Sequence, residues 1–222
     1  MHHKNQLLFF IFSFILFNLA FAKEPLNLSA AKQNVIKYYT SGEYNQDVAK
    51  KAEQAKKFLQ SKLAVKNNSK KLAIVFDIDD TLVSSFDLNK ENGFSDSHAA
   101  IQIVLATVHK EPIQPMLDLY NFAKQNGVTI FLVSNRQENL RKKTTDLLVK
   151  NGYTEWKGLF LQPTDSSAEN KINFKQNIRK FIDNSNYDIV LNIGDQSTDL
   201  IGEYADKTIK LPNPCYTVQN LT

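Results

Sequence analysis

Short apolar runs that alternate with amphipathic segments restrict the fold of this chain more than any other feature. Residues 72–76 form an uninterrupted apolar run, and runs that are apolar except for one residue recur at residues 128–133 and 189–193. Runs of this kind are typical of strands buried on both faces of a parallel sheet. Parallel neighbours need a crossover of about a dozen residues, which is usually a helix.

Segments with apolar residues at helical spacing supply these crossovers. The remaining predicted elements are helices at residues 29–39 and at about 45–65, 98–108, 114–125, 138–150 and 173–183, and short strands near residues 159–161 and 208–211. Strands separated by helices indicate right-handed βαβ units. The sequence therefore predicts an α/β fold with a doubly wound, Rossmann-like parallel sheet.

The composition fits one globular domain behind a short leader. The chain has 222 residues, a net charge of +4 without a basic block, and a single cysteine, Cys215. A lone cysteine cannot close an intramolecular disulfide, and a small, evenly spread charge does not favour a nucleic-acid partner.

The first residues have the pattern of a secretory signal peptide. Lys4 precedes an apolar stretch at residues 7–19, and Ala20-Phe21-Ala22 places small residues at a cleavage site. We expect cleavage after Ala22, no stable membrane anchor afterwards, and a periplasmic or secreted protein. A lipoprotein would need a cysteine just after the apolar stretch, and none is present there.

Polar residues gather where the predicted strands end. The first strand continues into residues 77–81, the second into residues 134–136 and a later one into residues 194–199. Ligands of doubly wound sheets bind beyond the carboxyl ends of the strands, so these three stretches are expected to converge. Taken alone, each of these residues could have a purely structural role, for example in a helix cap or a turn.

Crowded carboxylates repel one another unless a cation lies among them. Mg²⁺ prefers oxygen ligands and is commonly held by one or two carboxylates with a substrate phosphate, which suits a pair such as Asp77 and Asp195. A carboxylate is also a competent nucleophile toward phosphorus, and Asp79 lies two residues from Asp77, where it can protonate a leaving group. The pattern therefore favours phosphoryl transfer.

Several stretches resemble the class B acid phosphatases, subfamily IIIB of the haloacid dehalogenase (HAD) superfamily. The matching stretches are residues 74–82, 131–136, 174–179, 192–200 and 210–214. The group includes bacterial acid phosphatases with four signature aspartates and plant vegetative storage proteins. The resemblance implies a HAD-type sheet with a small cap insertion at about residues 83–112, within a domain of residues 71–222 that follows N-terminal helices in residues 23–70.

The resemblance also implies roles for individual residues. Asp77 would be the nucleophile and a Mg²⁺ ligand, and Asp79 the general acid and base with its backbone carbonyl on the metal. Asp195 would ligate Mg²⁺, and Asp199 would orient its ligands or waters. The residues expected to bind the substrate phosphate are Thr81, Ser134, Asn135 and Lys175, the last chosen over Lys171.

The expected function is a Mg²⁺-dependent acid phosphatase acting on small phosphomonoesters, with nucleoside monophosphates as the leading subclass. The alternatives are a secreted storage or phosphoester-binding protein with a vestigial site, and a phosphotransferase. In the cap, Phe86, Phe94 and His98 either stack on an aromatic leaving group or pack the cap itself. We assign His98 and His109 no part in the chemistry.

Overall fold

The computed structural model describes residues 25–65, 70–95, 97, 103–104, 106–107, 109–164 and 168–218, and the side chains of residues 168–172 fall outside the description. The predicted signal peptide lies outside the described residues. No helix within the described ranges is both long and apolar enough to cross a membrane.

Five parallel strands form one sheet. They are β1 (Lys71–Phe76), β2 (Thr129–Gln137), β3 (Gly158–Gln162), β4 (Tyr187–Gly194) and β5 (Lys207–Lys210). Their order across the sheet is β3-β2-β1-β4-β5, so β1 lies at the centre. Phe76 at the end of β1 is aligned with Leu132 on one side and Ile193 on the other, which brings the ends of β1, β2 and β4 to the same edge. The prediction of an α/β fold with a parallel sheet is confirmed.

Helices flank this sheet. They are α1 (Leu28–Thr40), α2 (Glu43–Leu63), α3 (Phe86–Glu91), α4 (Gln114–Gln125), α5 (Arg141–Lys150), α6 (Ala168–Asn184) and the single-turn α7 (Ser197–Leu200), with a 3-10 turn at Glu138–Leu140. The side chain of Asn27 accepts a hydrogen bond from the Ala30 amide and so caps α1. Gly42 joins α1 to α2 with a φ of 84°, a conformation that glycine adopts without a steric penalty.

The central strands bury both faces, which explains why apolar residues predominate in them. On one face, Ile74 and Phe76 of β1 join a core that includes residues of α2 and α4. On the other face, Ala73 and Val75 pack with Ile182 of α6. Alternate residues of a strand point to opposite faces, so one run of apolar residues supplies both cores.

Strand β2 is longer than predicted. We predicted its end at Val133, but it continues to Gln137, and its pairing with β3 shifts between Ser134 and Gln137. The polar residues Ser134 and Arg136 are buried at the end of the strand. A rule that ends a strand where apolar residues end therefore shortened β2.

The cap insertion leaves and rejoins the core at one point. Val83 pairs with Pro112 in an antiparallel bridge, and the Ser84 amide donates to the Glu111 carbonyl at 2.9 Å. Helix α3 within the insertion was not predicted. The helix that we predicted at residues 98–108 lies mostly outside the described residues, and of it residues 103, 104 and 106 are described as helical.

Candidate active site

Three aspartates meet at the carboxyl edge of the sheet. Asp77 follows β1, Asp195 follows β4, and Asp199 lies in α7. One carboxylate oxygen from each lies within 4.8 Å of the others, and all three side chains are buried. Burial raises the pKa of Asp77 well above its usual value; Lys175 opposes this shift, whereas Asp199 and Asp195 add to it.

Lys175 of α6 is the cation that reaches this cluster. Its Nζ lies 2.5 Å from Asp77 Oδ1 and 2.6 Å from Asp199 Oδ1. Burial lowers the pKa of Lys175, but Asp199 and Asp77 outweigh burial, so its net pKa lies above the usual range. One ammonium thus pairs with two of the three carboxylates, which leaves the cluster incompletely neutralised.

Asp195 is held by neutral donors. Its Oδ1 accepts from the Thr81 hydroxyl at 3.2 Å, and its Oδ2 accepts from Gln196 Nε2 at 2.6 Å and Asn213 Nδ2 at 2.7 Å. Burial, followed by the charges of Asp199 and Asp80, raises the pKa of Asp195 to about 7. The carboxylate is therefore short of positive charge.

The close approach of Asp199 depends on a glycine. The Oδ2 of Asp199 accepts from the Gln196 amide at 2.8 Å, which holds the side chain over the end of β4. A Cβ atom at Gly194 would overlap the side chain of Asp199. Only glycine leaves room for this carboxylate next to the strand.

Asp79 has different surroundings from the three clustered aspartates. Arg136 binds it through both oxygens, with Nε 2.7 Å from Oδ2 and Nη2 2.8 Å from Oδ1. Lys110 Nζ also contacts Asp79 Oδ1 and donates to Ser85 Oγ at 2.7 Å. Burial opposes ionisation of Asp79, but Arg136 and Lys110 outweigh it and lower the pKa of this carboxyl below its usual range.

This arrangement bears on the predicted acid role of Asp79. A carboxyl group with a lowered pKa is ionised and cannot donate a proton. Donation by Asp79 therefore requires that Arg136 or Lys110 is drawn away from it, and a bound phosphate is an anion that competes for both cations.

The predicted phosphate-binding residues are divided between two places. Ser134 is buried at the end of β2, where its Oγ accepts from the Arg136 amide at 3.2 Å, and Asn135 beside it is half-buried. Thr81, by contrast, donates its hydroxyl hydrogen to Asp195, and this side chain is fully buried. Its side chain thus serves the aspartate cluster in the described structure.

Asp80 serves the local backbone. It has a φ of 53°, and its carboxylate accepts from the Ser85 amide and from the Tyr216 hydroxyl, each at 2.8 Å. Its contacts are therefore to Ser85, at the start of the insertion after β1, and to Tyr216 near the C-terminus.

Of the aromatic side chains singled out in the insertion, Phe86 packs within the protein. Phe86 is buried and stacks on Tyr39 of α1, with ring centroids 4.1 Å apart. Phe94 is half-buried with a φ of 54°, and His98 lies outside the described residues. His109 is exposed, with its Nδ1 3.4 Å from Lys150 Nζ. The packing interpretation therefore applies to Phe86.

The two cations that bind Asp79, Arg136 and Lys110, were not predicted to lie there. Arg136 lies in the polar stretch 134–136 that was expected at the edge of the sheet, but its pairing with Asp79 was not predicted. Lys110 gave no signal at all, because a lysine in a polar stretch is usually exposed, whereas this side chain is buried. The three carboxylates of residues 77–81 were a hint in the sequence that cations would be needed at this edge of the sheet.

The aspartate cluster fits a hard divalent cation. Its donors are carboxylate oxygens, they lie close enough to share one ion, and one lysine leaves them incompletely neutralised. Oxygen-only donor sets are typical of Mg²⁺ and related ions.

Comparisons with known proteins identify relatives of this chain. The chain is 31% identical over 198 residues to vegetative storage protein 1 of Arabidopsis thaliana, covering 87% of this chain and 72% of that protein. It is 27% identical over 153 residues to acid phosphatase 1 of Solanum lycopersicum, covering 65% of this chain and 58% of that protein.

A solved structure shares the fold. The class C acid phosphatase from Bacillus anthracis superposes with a TM-score of 0.68 at 22% identity, covering 86% of this chain and 85% of that one. The model of the HAD superfamily, subfamily IIIB (acid phosphatase), matches residues 18–219. The resemblance drawn from the sequence motifs is thereby confirmed, and the chain belongs to subfamily IIIB, the acid phosphatases of the HAD superfamily.

Proposed function

We propose that this protein is a Mg²⁺-dependent phosphomonoesterase that works through a phosphorylated Asp77. The observation that carries the proposal is the cluster of Asp77, Asp195 and Asp199 around Lys175 at the edge of a parallel sheet. Family membership supports the reaction class, because the family is one of acid phosphatases.

Binding of the substrate phosphate relies on cations and donors near Asp77. Ser134 and Asn135 lie near the end of β2, where they and the adjacent backbone would donate to the phosphoryl oxygens, and Lys175 contacts the proposed nucleophile Asp77. Asp77, Asp195 and the backbone carbonyl of Asp79 would hold Mg²⁺. A bound Mg²⁺ supplies positive charge that stabilises the phosphoryl oxygens as charge develops on them.

Two displacements then complete the reaction. A carboxylate oxygen of Asp77 attacks phosphorus, the P–O bond to the leaving alcohol breaks, and Asp79 gives that alcohol its proton. Water next attacks the phosphorus atom on phosphorylated Asp77, and Asp79 takes a proton from this water. The P–O bond to Asp77 then breaks, so inorganic phosphate leaves and Asp77 is restored. For the first step, the phosphate draws Arg136 or Lys110 away from Asp79, which allows this carboxyl to carry a proton.

Small phosphomonoesters are the proposed substrates, with nucleoside monophosphates as the leading subclass, and an acidic pH is the proposed working range. Secretion through the signal peptide at residues 1–22 belongs to the same proposal. The second candidate is a storage or phosphoester-binding protein, which the similarity to vegetative storage protein 1 favours. Intact Asp77, Asp79, Asp195 and Asp199 favour the enzyme.

Hydrolysis of an aryl phosphate with Mg²⁺ and with a chelator tests the proposal. We expect the chelator to abolish turnover, and Asp77→Asn to reduce kcat by on the order of 10³-fold or more, because a carboxamide is a poor nucleophile. Asp118→Asn, at an exposed position on α4, is the matched control and should retain full activity. Binding of the phosphate ester without turnover by the unmodified protein would instead support the storage candidate.

A further inference from the structure

The residues after β5 return to the aspartate cluster. Residues 212–218, here called the C-terminal segment, follow β5 directly. The Leu211 amide donates to the Gly194 carbonyl at 2.9 Å, and Lys210 Nζ contacts the Asp195 carbonyl. The segment therefore starts beside Asp195, the proposed Mg²⁺ ligand at the end of β4.

Asn213 in this segment has a fixed orientation. Its Oδ1 accepts from the Cys215 amide at 2.9 Å, which turns its Nδ2 toward Asp195 Oδ2 at 2.7 Å. An amide side chain carries an acceptor on one side and a donor on the other, so fixing one atom fixes the other. The Cys215 amide thus selects the orientation in which Asn213 donates to Asp195.

Gln196 is oriented in the same way. Its Oε1 accepts from the Val218 amide at 2.9 Å, and its Nε2 donates to Asp195 Oδ2 at 2.6 Å. Both amide donors to Oδ2 are therefore aligned by backbone amides of the C-terminal segment. The other oxygen, Oδ1, accepts a single hydroxyl hydrogen, from Thr81, and retains a lone pair.

Asp195 differs from the other two clustered aspartates in the charges around it. Lys175 pairs with Asp77 and Asp199, whereas Asp195 has no ion-pair partner among the residues that the structure describes. Neutral amides fix the rotamer of Asp195 without neutralising it. A carboxylate that is oriented but not neutralised is suited to bind a metal ion.

We propose that the C-terminal segment is a positioning element of the Mg²⁺ site, in which Asn213 and Gln196 hold Asp195 so that Oδ1 faces the ion. This inference rests on the proposed function, because it requires Asp195 to be a Mg²⁺ ligand. Asn213 is a positioning residue and takes no part in the chemistry. Its loss weakens Mg²⁺ binding and leaves turnover at saturating Mg²⁺ largely intact.

Calorimetric titration of metal-free protein with MgCl₂ tests this directly. We expect Asn213→Ala to increase the Mg²⁺ dissociation constant about 10- to 100-fold, which is the usual effect of removing a residue that orients a metal ligand. Asn213→Leu keeps much of the side-chain volume but has no donor, so it should show the same loss. Thr217→Ala, at an exposed position of the same segment, is the matched control and should bind Mg²⁺ like the unmodified protein.

Kinetics and folding separate positioning from general damage. At saturating Mg²⁺, Asn213→Leu should keep kcat and the KM for an aryl phosphate within a few-fold of the unmodified enzyme. Its thermal unfolding in the presence of chelator reports whether the variant folds.

Unchanged Mg²⁺ affinity in both Asn213 variants would overturn the inference and leave the proposed function intact. A fall in kcat at saturating Mg²⁺ with unchanged Mg²⁺ affinity would also overturn it. If the unmodified protein bound no Mg²⁺, the proposed cation site and the inference would both fail.

Discussion

The two sides of the active site have opposite charge balances. On one side, Lys175 is the one ion-pair partner of the three clustered aspartates among the described residues, and it contacts Asp77 and Asp199. On the other side, one carboxylate, Asp79, is bound by two cations. A single count of acidic and basic residues over the whole site would therefore not show how the charges are distributed within it.

Each balance suits a different ligand. The acid-rich side lacks positive charge, which a divalent cation would supply. The side around Asp79 holds two cations, Arg136 and Lys110, and a phosphate group is an anion that these cations recognise well. A phosphate ester bound together with Mg²⁺ would complete both sides at once.

Removal of the single cation from the acid-rich side should have the largest effect. Lys175→Met leaves Asp77 and Asp199 without their ion-pair partner in a buried site, so we expect metal-free protein to lose about 3–5 kcal/mol of unfolding free energy. We expect kcat/KM to fall on the order of 10²- to 10³-fold. Thermal or urea unfolding and aryl phosphate hydrolysis measure the two effects.

A surface lysine provides the control for this variant. Lys142 pairs with Asp146 at an exposed position of α5, and Lys142→Met should change stability by less than about 1 kcal/mol. Equal losses in Lys175→Met and Lys142→Met would contradict the claim that the cluster depends on its lysine. Added Mg²⁺ should restore part of the stability lost in Lys175→Met.

Removal of one cation from the other side should have a smaller and different effect. Lys110→Met leaves Arg136 on Asp79, so the pKa of Asp79 should rise toward its usual value without losing all support. A larger protonated fraction favours poor leaving groups, so we expect the ratio of alkyl to aryl phosphate hydrolysis to increase. An unchanged ratio would argue against Asp79 as the proton donor.

The stability of Lys110→Met should reflect the same change in the pKa of Asp79. In the folded protein the pKa of Asp79 is lowered, so its ionisation stabilises the fold above the unfolded pKa of about 3.9, and this stabilisation is lost as pH falls through the lower folded value. Lys110→Met weakens that contribution. We expect a loss of about 1.5–3 kcal/mol near neutral pH, measured by urea unfolding, and a smaller loss below pH 4.

The sequence predicted the edge of the sheet well and the charges around Asp79 poorly. Asp77, Asp195 and Asp199 could be predicted to converge because short apolar runs locate strand ends, and strand ends of a parallel sheet share an edge. Lys175 was chosen through a family motif, and the structure places it on Asp77 and Asp199.

The rest depends on contacts between distant parts of the chain. Lys110 returns from the cap to meet Asp79, and no local pattern encodes that pairing. The extension of β2 to Gln137 was missed because the buried Arg136 has a partner, Asp79, that compensates its charge. Phe86 packs on Tyr39 of α1, a contact that depends on how the N-terminal helices lie against the cap.

The dependence of Mg²⁺ affinity on pH should be the mildest effect. The pKa of Asp195 in the metal-free protein is about 7, so below that pH a proton competes with the ion. We expect the Mg²⁺ dissociation constant to increase by up to about tenfold for each unit that pH falls below about 7. Calorimetric titrations at several pH values measure this, and a constant that does not vary with pH would contradict it.

The same pKa predicts a stability trend with the opposite sign to that of Asp79. Because the folded pKa of Asp195 lies above the unfolded value of about 3.9, its ionisation destabilises the metal-free fold. We expect this contribution to lower the stability as pH rises from about 4 to about 7, and added Mg²⁺ to reverse the loss. Comparison with Asp195→Asn isolates the contribution from those of other groups.

Chemical quenching during turnover tests whether Asp77 is phosphorylated in the reaction. We expect protein quenched in acid while it hydrolyses an aryl phosphate with Mg²⁺ to carry a phosphoryl group on Asp77. Peptide mass spectrometry should locate this group, hydroxylamine should remove it, and Asp77→Asn should lack it. Sustained turnover with no phosphoryl group on the protein, or with one on a residue other than Asp77, would contradict the account.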